Sequence, residues 1–393
     1  MLRSVGMLGM LSLVGCVYVV EEDAKDKKEP VDEVLPGLDV LGNETNDVSN
    51  VSLSEVGTSS DGLNVPRDLA FNPDVEGELW VLNRADDSST IYSAVGTEDQ
   101  SSRHVIDPYA LHFQEEASSI AFGAAMYDGS DYLNFGTCHE SINTYNDQGA
   151  GDYFMGPTLW SSDPDIYGVS NYEAIEYLTA LFGFYTDLGS HLDMLHETPL
   201  CMGIAWETEN VYWVFNGQDG AINRVDFQED HDIGYDDHSD GIIGRYITGE
   251  VSRVEDVPSH MVFDPTSAFL YIADTGNRAI KVLDTTSGER GLALPRMEPG
   301  TDHYAQDDAL VWTLVDGDDH DLVQPSGLAL VDETLFVTDH GTGFIYAFDL
   351  EGELIDWLDT GLGEGVLMGI EARAIDDLWL VDAKDDRVLR LQP

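Results

Sequence analysis

The chain has 393 residues, 42% of them apolar, with seven Trp and seventeen Tyr, enough for one large folded core. Seventy-five acidic residues against eighteen basic ones give a net charge of −57, which repels nucleic acid and anionic headgroups and argues against either as a partner. The excess runs through the whole chain and reads as adaptation to high salt, where the screening length shrinks to about 3 Å at 1 M, or as a calcium-loaded surface.

Residues 1–16, MLRSVGMLGMLSLVGC, hold one basic residue, an apolar run too short to span a bilayer, and small residues before a cysteine. This is the anatomy of an export signal over residues 1–15. Leu13-Val14-Gly15-Cys16 resembles the bacterial lipobox, which implies lipidation of Cys16 and a lipid-anchored, extracytoplasmic protein of the cell envelope. Val17 after the cysteine implies outer-membrane sorting if the cell is Gram-negative. Residues 16–60 are rich in Glu, Asp, Lys, Asn and Ser and bury too little apolar surface to offset their ordering entropy, so a flexible acidic tether is expected.

From residue 61 to 393 one grammar recurs, clearest at 258–284, PSHMVFDPTSAFLYIADTGNRAIKVLD. Three short alternating apolar runs are separated by Asp-Pro and Asp-Thr-Gly-Asn turns, which reads as strand, turn, strand, turn, strand. Looser copies begin at 66 (PRDLAF), 118 (SSIAF), 202 (MGIAW), 325 (PSGLAL) and 368 (MGI), making six. A unit of this size cannot bury its own apolar faces, and radial stacking of such units makes an all-β, six-bladed propeller. The copies at 258 and 325 resemble NHL-repeat propellers, a likeness that implies the fold far more than any one activity. The last copy ends on its third strand, so a strand from within residues 46–56 is expected to complete the last blade and cover its edge.

Three insertions interrupt the repeats. Residues 141–198, between copies two and three, carry a helical spacing over 171–182 and a capping-box pattern, Ser190 and Asp193, for a second short helix through His196. This part-helical insertion is expected to cap the propeller or to lie over its pore. Residues 228–240, QEDHDIGYDDHSD, are rich in Asp and His, and residues 288–323 carry an acidic run at 316–321. Acidic loops of this kind can bind calcium through oxygen ligands, although neither has the twelve-residue calcium-loop spacing.

Cys138, near the end of a second strand, and Cys201, at the start of the next innermost strand, fall on the same face of neighbouring blades, which predicts a disulfide. The same strand positions gather a pore-face set, Arg67, Asn83, Arg84, Glu140, Asn216, Asp274, Asp339 and Asp382, as candidate ligand-binding residues. The Asp or Asn that ends each second strand also has an architectural reading, accepting backbone N–H groups of the following turn. His139, His260 and His340, with His196 arriving just before copy three, form a candidate set for zinc or another divalent transition metal at the pore.

No Gly-x-Ser-x-Gly turn, phosphate loop or CxxC pair is present, and no catalytic residue is assigned. The leading reading is a monomeric, tethered binding or scaffold module for a protein, peptide or glycan. The alternative is a metal-dependent enzyme. Its lyase form, by resemblance to the peptidyl-amidoglycolate lyases among NHL-like propellers, would use the pore histidines with Arg67 or Arg84. Its lactonase form would use Asn83, Asn216, Asp274 and Asp382.

Overall fold

A computed structural model describes residues 37–142 and 153–393. The export signal, Cys16, the first part of the tether and residues 143–152 of the first insertion lie outside the described residues.

Six antiparallel sheets succeed one another along the chain, and their innermost strands contact in a ring, the first against the last. Blade one comprises Pro66–Phe71, Leu79–Asn83, Ser88–Ser93 and Ser101–Ile106. Blade two comprises Ala117–Phe122, Asn134–His139, Thr158–Ser161 and Asp193–Met194. Blade three has Cys201–Thr208, Val211–Asn216, Ala221–Asp226 and Ile242–Tyr246; blade four has Met261–Asp264, Phe269–Asp274, Ala279–Asp284 and Val311–Asp316. Blade five has Pro325–Val331, Thr334–Asp339, Phe344–Phe348 and Leu354–Asp359. Blade six takes Leu367–Ala374, Asp377–Asp382 and Arg387–Gln392 from the end of the chain and Ser52–Gly57 from its beginning.

That closing strand pairs antiparallel with the last strand, Leu53 opposite Leu391, and runs one residue past the expected window. The segment before it is also packed. Val40 and Leu41 are buried among residues of blades five and six, and the Leu38 N–H donates to Asp356 Oδ2 at 2.8 Å.

The repeat has a steric cause. A Cβ on Gly203 would fall 2.0 Å from the Ser259 carbonyl oxygen, and one on Gly327 would fall 2.5 Å from that of Met368. Neighbouring innermost strands therefore touch backbone to backbone, which only glycine permits at these positions. Alternation along the second strands buries Trp80, Trp213 and Trp379 between blades, and these large rings supply much of the apolar burial.

Cys138 and Cys201 are joined as a disulfide, with Cα atoms 5.1 Å apart, tying blade two to blade three. The helix of the first insertion runs Tyr172–Phe182 with Asn171 as its N-cap. Two expectations for the insertions need correction. No second helix forms at 190–196: Ser190 spends its N–H and hydroxyl on Asp107, at 2.8 and 2.6 Å, and Asp193–Met194 is blade two's outermost strand. Residues 141–198 therefore include half of blade two, its third and fourth strands. Within 288–323, the hairpin Glu289–Ala293 and Asp302–Asp307 extends blade three by parallel pairing of Ile242–Tyr246 with Asp302–Asp307.

Candidate functional site

The pore-face residues divide into two groups. Asn83, Asn216, Asp274, Asp339 and Asp382 are fully buried at the ends of second strands. Asp339 accepts the N–H groups of Val323, Gln324 and Gly341 at 2.6, 2.9 and 2.8 Å, and Asp382 accepts those of Lys384 and Asp385, both at 3.0 Å. Asn83 and Asp274 accept the Asn64 and Ser252 N–H groups at 2.9 and 2.7 Å, and Asn216 those of Gln218 and Asp219. Their oxygens are thus committed to turns and, at Asp274 and Asp382, to the side chains of Lys281 and Arg387. In the second group Arg84 and Glu140 join an ionic cluster, while Arg67 lies beside it and donates Nη1 to Met368 Sδ at 3.4 Å. Glu140 receives Arg253 Nη1 at 2.6 Å, and Arg84 Nη2 meets Asp256 at 2.7 Å. Burial, with the nearby charge of Arg84, pushes the Arg67 guanidinium down to about 10.

The four histidines read as a pore set do not share one place. His260 directs Nδ1 at Asp68 Oδ1, 3.5 Å away, and Nε2 at the Ser118 carbonyl, 3.1 Å away. His340 donates from Nδ1 to the Leu367 carbonyl at 3.0 Å, and His139 Nε2 meets Thr137 Oγ1 at 3.0 Å. Among the described residues, ring nitrogens and carboxylates close enough to share a metal occur in two other groups: His191, His231 and His238, and His196, His238 and Glu298. Of the sequence-derived four, His196 alone belongs to either.

Both groups sit at the outer edge of blades two and three. His191 and His196 flank the outermost strand of blade two, His238 precedes Ile242–Tyr246, and Glu298 lies in the turn of the added hairpin. A cavity of about 590 Å³ opens here. Its walls are aromatic, from Tyr109, Phe113, Phe154, Phe182, Phe184 and Tyr185, and its polar side holds His196, His238, Asp187, Asp236 and Glu298, with no Lys or Arg. Phe154 stacks on His196 with ring centroids 4.5 Å apart. Burial pushes the Asp236 carboxyl up to about 6, with Glu298 and Asp237 adding to it, and raises Glu298 for the same reasons. Burial also pushes the imidazoles down, His196 to about 3 and His231 to about 4, so they are neutral near pH 7.

Sequence reasoning missed this cavity because its walls come from the three insertions together with the connection between blades one and two, segments far apart in the chain. The Asp- and His-rich run at 228–240 was the one signal, and its acidic residues point first to calcium.

No protein-family model matches the chain, and no characterised protein matches it in sequence. Solved structures match in fold. Regucalcin, a calcium-binding protein from Agrobacterium tumefaciens, is 11% identical with a TM-score of 0.50, over 86% of this chain and 93% of that one. An auxiliary nutrient binding protein from Bacteroides ovatus is 12% identical with a TM-score of 0.47, over 87% and 76%. Virginiamycin B lyase from Staphylococcus aureus is 10% identical with a TM-score of 0.47, over 87% and 99%. At such identities the likeness is one of fold.

Proposed function

We propose that this chain is an NHL-like propeller, lipid-anchored through Cys16 and extracytoplasmic, that acts as a binding module and seats its ligand in the aromatic cavity at the edge of blades two and three. The cavity carries the reading. Aromatic faces beside three carboxylates, with no basic residue in the lining, suit a cationic group held by cation–π contact and charge. Phe184 and Tyr185 are 63% and 71% exposed, so the lining continues onto the surface, where an extended peptide could follow it. The ligand class supported best is a peptide bearing Lys or Arg.

The test is calorimetric titration of the full-length protein with short Lys- and Arg-containing peptides beside neutral oligosaccharides. Peptide binding that weakens about tenfold in Phe184→Ala or Tyr185→Ala, roughly the worth of one cation–π contact, supports the reading. Oligosaccharide binding with the same sensitivity replaces the peptide by a glycan, and binding of neither ends the proposal for this cavity. Retention of a Cys16→Ser chain in the membrane fraction would overturn the anchor.

The metal-dependent alternative is favoured by one observation, the convergence of histidines behind the cavity.

A further inference from the structure

We propose that His191, His231 and His238 form a site for a divalent transition metal of borderline softness, zinc above all. The inference goes beyond the ligand reading and stands on different residues, sharing His238 alone with the cavity lining.

The backbone brings the three rings together. The His231 N–H donates to the Leu192 carbonyl at 3.1 Å, and the Gly234 N–H donates to the His191 carbonyl at 2.9 Å. These two bonds clip the 228–240 loop onto the residues just before the outermost strand of blade two, among them His191. Ring centroids then lie 4.7 Å apart for His191 and His231, 5.0 Å for His231 and His238, and 5.7 Å for His191 and His238. Each histidine offers a nitrogen within 4.8 Å of those of the other two. A zinc ion bonds imidazole nitrogen at about 2.0–2.1 Å, so a shared ion requires these nitrogens to draw together by roughly 1 Å.

The tautomers are set for ligation. His191 Nδ1 lies 2.9 Å from the Leu188 carbonyl, and His231 Nδ1 lies 2.7 Å from the Asp232 carbonyl. A carbonyl can only accept, so both Nδ1 atoms carry the proton and both Nε2 atoms keep their lone pair. This is the outer arrangement that orients metal-bound histidines. The Nε2 atoms of His191, His231 and His238 are buried without a hydrogen-bond partner.

Simple packing explains this poorly. An unmet buried acceptor costs about 1–3 kcal/mol, and two are established here, the Nε2 lone pairs of His191 and His231, beside the unpartnered Nε2 of His238. One cation satisfies all three at once. Neutral imidazoles select zinc, cobalt, nickel or copper over calcium or magnesium, which take oxygen ligands.

The site also has an entrance. A cleft of about 490 Å³ between the Tyr172–Phe182 helix and the 228–240 loop is lined by Glu229, Asp230, Asp232, Asp236, Asp237 and Asp240, and His231 opens onto it. Its acidic walls raise the local concentration of cations beside His231, the one member of the triad that is not fully buried.

The test is zinc binding to the full-length, chelator-stripped protein in 1 M salt with excess calcium, read by calorimetry and metal analysis. One equivalent is expected, weakened at least about 100-fold in His231→Ala and His238→Ala and unchanged in His196→Ala and Glu298→Gln. His231 lies on a surface loop, so its variant is not at risk through the core. Cobalt(II) added to the unmodified protein provides a second reading, with strong visible absorption expected from a low-coordinate, nitrogen-rich site. Zinc lost in His196→Ala but kept in His231→Ala would assign the metal to the other group and overturn the proposal. Zinc indifferent to every histidine variant, or no stoichiometric zinc, would overturn it as well.

Discussion

Asp68 and His260 face each other across the central channel, Oδ1 to Nδ1 at 3.5 Å, from innermost strands of opposite blades. They occupy the repeat position that is glycine in blades three, five and six, and Ser119 fills it in blade two. The three polar substitutes have found one another. Asp68 Oδ2 accepts the Ser119 hydroxyl at 2.8 Å and the Ile120 N–H at 2.9 Å, while Oδ1 accepts the Leu69 N–H at 2.8 Å. Burial pushes this carboxyl up, and His260 and these donors pull it back.

The network should be structural. Asp68→Ala leaves two buried N–H groups and an imidazole without their acceptor and is expected to cost about 3 kcal/mol. Asp68→Asn keeps one acceptor oxygen and should cost less. Urea unfolding midpoints of the two variants check this, and an unshifted midpoint in the alanine variant would refute it.

Closure of the ring by the Ser52–Gly57 strand makes a second expectation. A chain lacking residues 1–57 leaves Arg387–Gln392 as a bare sheet edge, so it should unfold at lower temperature and self-associate. Leu391→Ala, at a position with no exposed surface beneath that strand, should cost about 2–5 kcal/mol without self-association. Size-exclusion chromatography and thermal melts separate the two effects.

How much of this was legible follows from where the information lies. The Gly-Ile-Ala and Leu-Trp-Leu-Val-Asp grammar is dictated by contacts each blade repeats, so the six blades, the closing strand and the Cys138–Cys201 pair could be read directly. Blade two's outer half could not. Thr158–Ser161 and Asp193–Met194 are four and two residues long, too short for an alternating pattern, and a helix lies between them. The histidines illustrate the same limit. His139, His260 and His340 fall at strand ends that open on the pore face, so position alone suggested convergence, yet each is engaged elsewhere: His139 by Thr137, His260 by Asp68 and the Ser118 carbonyl, and His340 by the Leu367 carbonyl. His191, His231 and His238 meet through insertions that follow no repeat, and no sequence spacing announces them.

The Cys138–Cys201 bond spans 63 residues, including all of the first insertion. In the chain-entropy account a loop of this length is worth about 4 kcal/mol, and measured values run about 2–5 kcal/mol. The Cys138→Ala, Cys201→Ala protein should therefore melt lower, and its melting point should no longer respond to reductant. An equal melting point with and without the bond would mean that the cross-link adds nothing to the stability supplied by the rest of the fold.

Glu371 lines the channel beside Asp68 and gives the fold a pH dependence of definite sign. Burial, and then the charge of Asp68, push its carboxyl from 4.5 up to about 8, with Arg373 opposing. The folded chain holds this proton over a range in which the unfolded chain has released it. The contribution is therefore fully present below about pH 4.5, declines as pH rises toward 8, and is absent above. Glu371→Gln removes the ionisation, so the variant should be the more stable protein at pH 9, by about 1–2 kcal/mol once screening by channel solvent is allowed for, and should show no advantage at pH 4. Urea midpoints across that range measure the difference; a gap between variant and wild type that does not widen with pH would place Glu371 in contact with solvent and leave the channel without a titrating acid there.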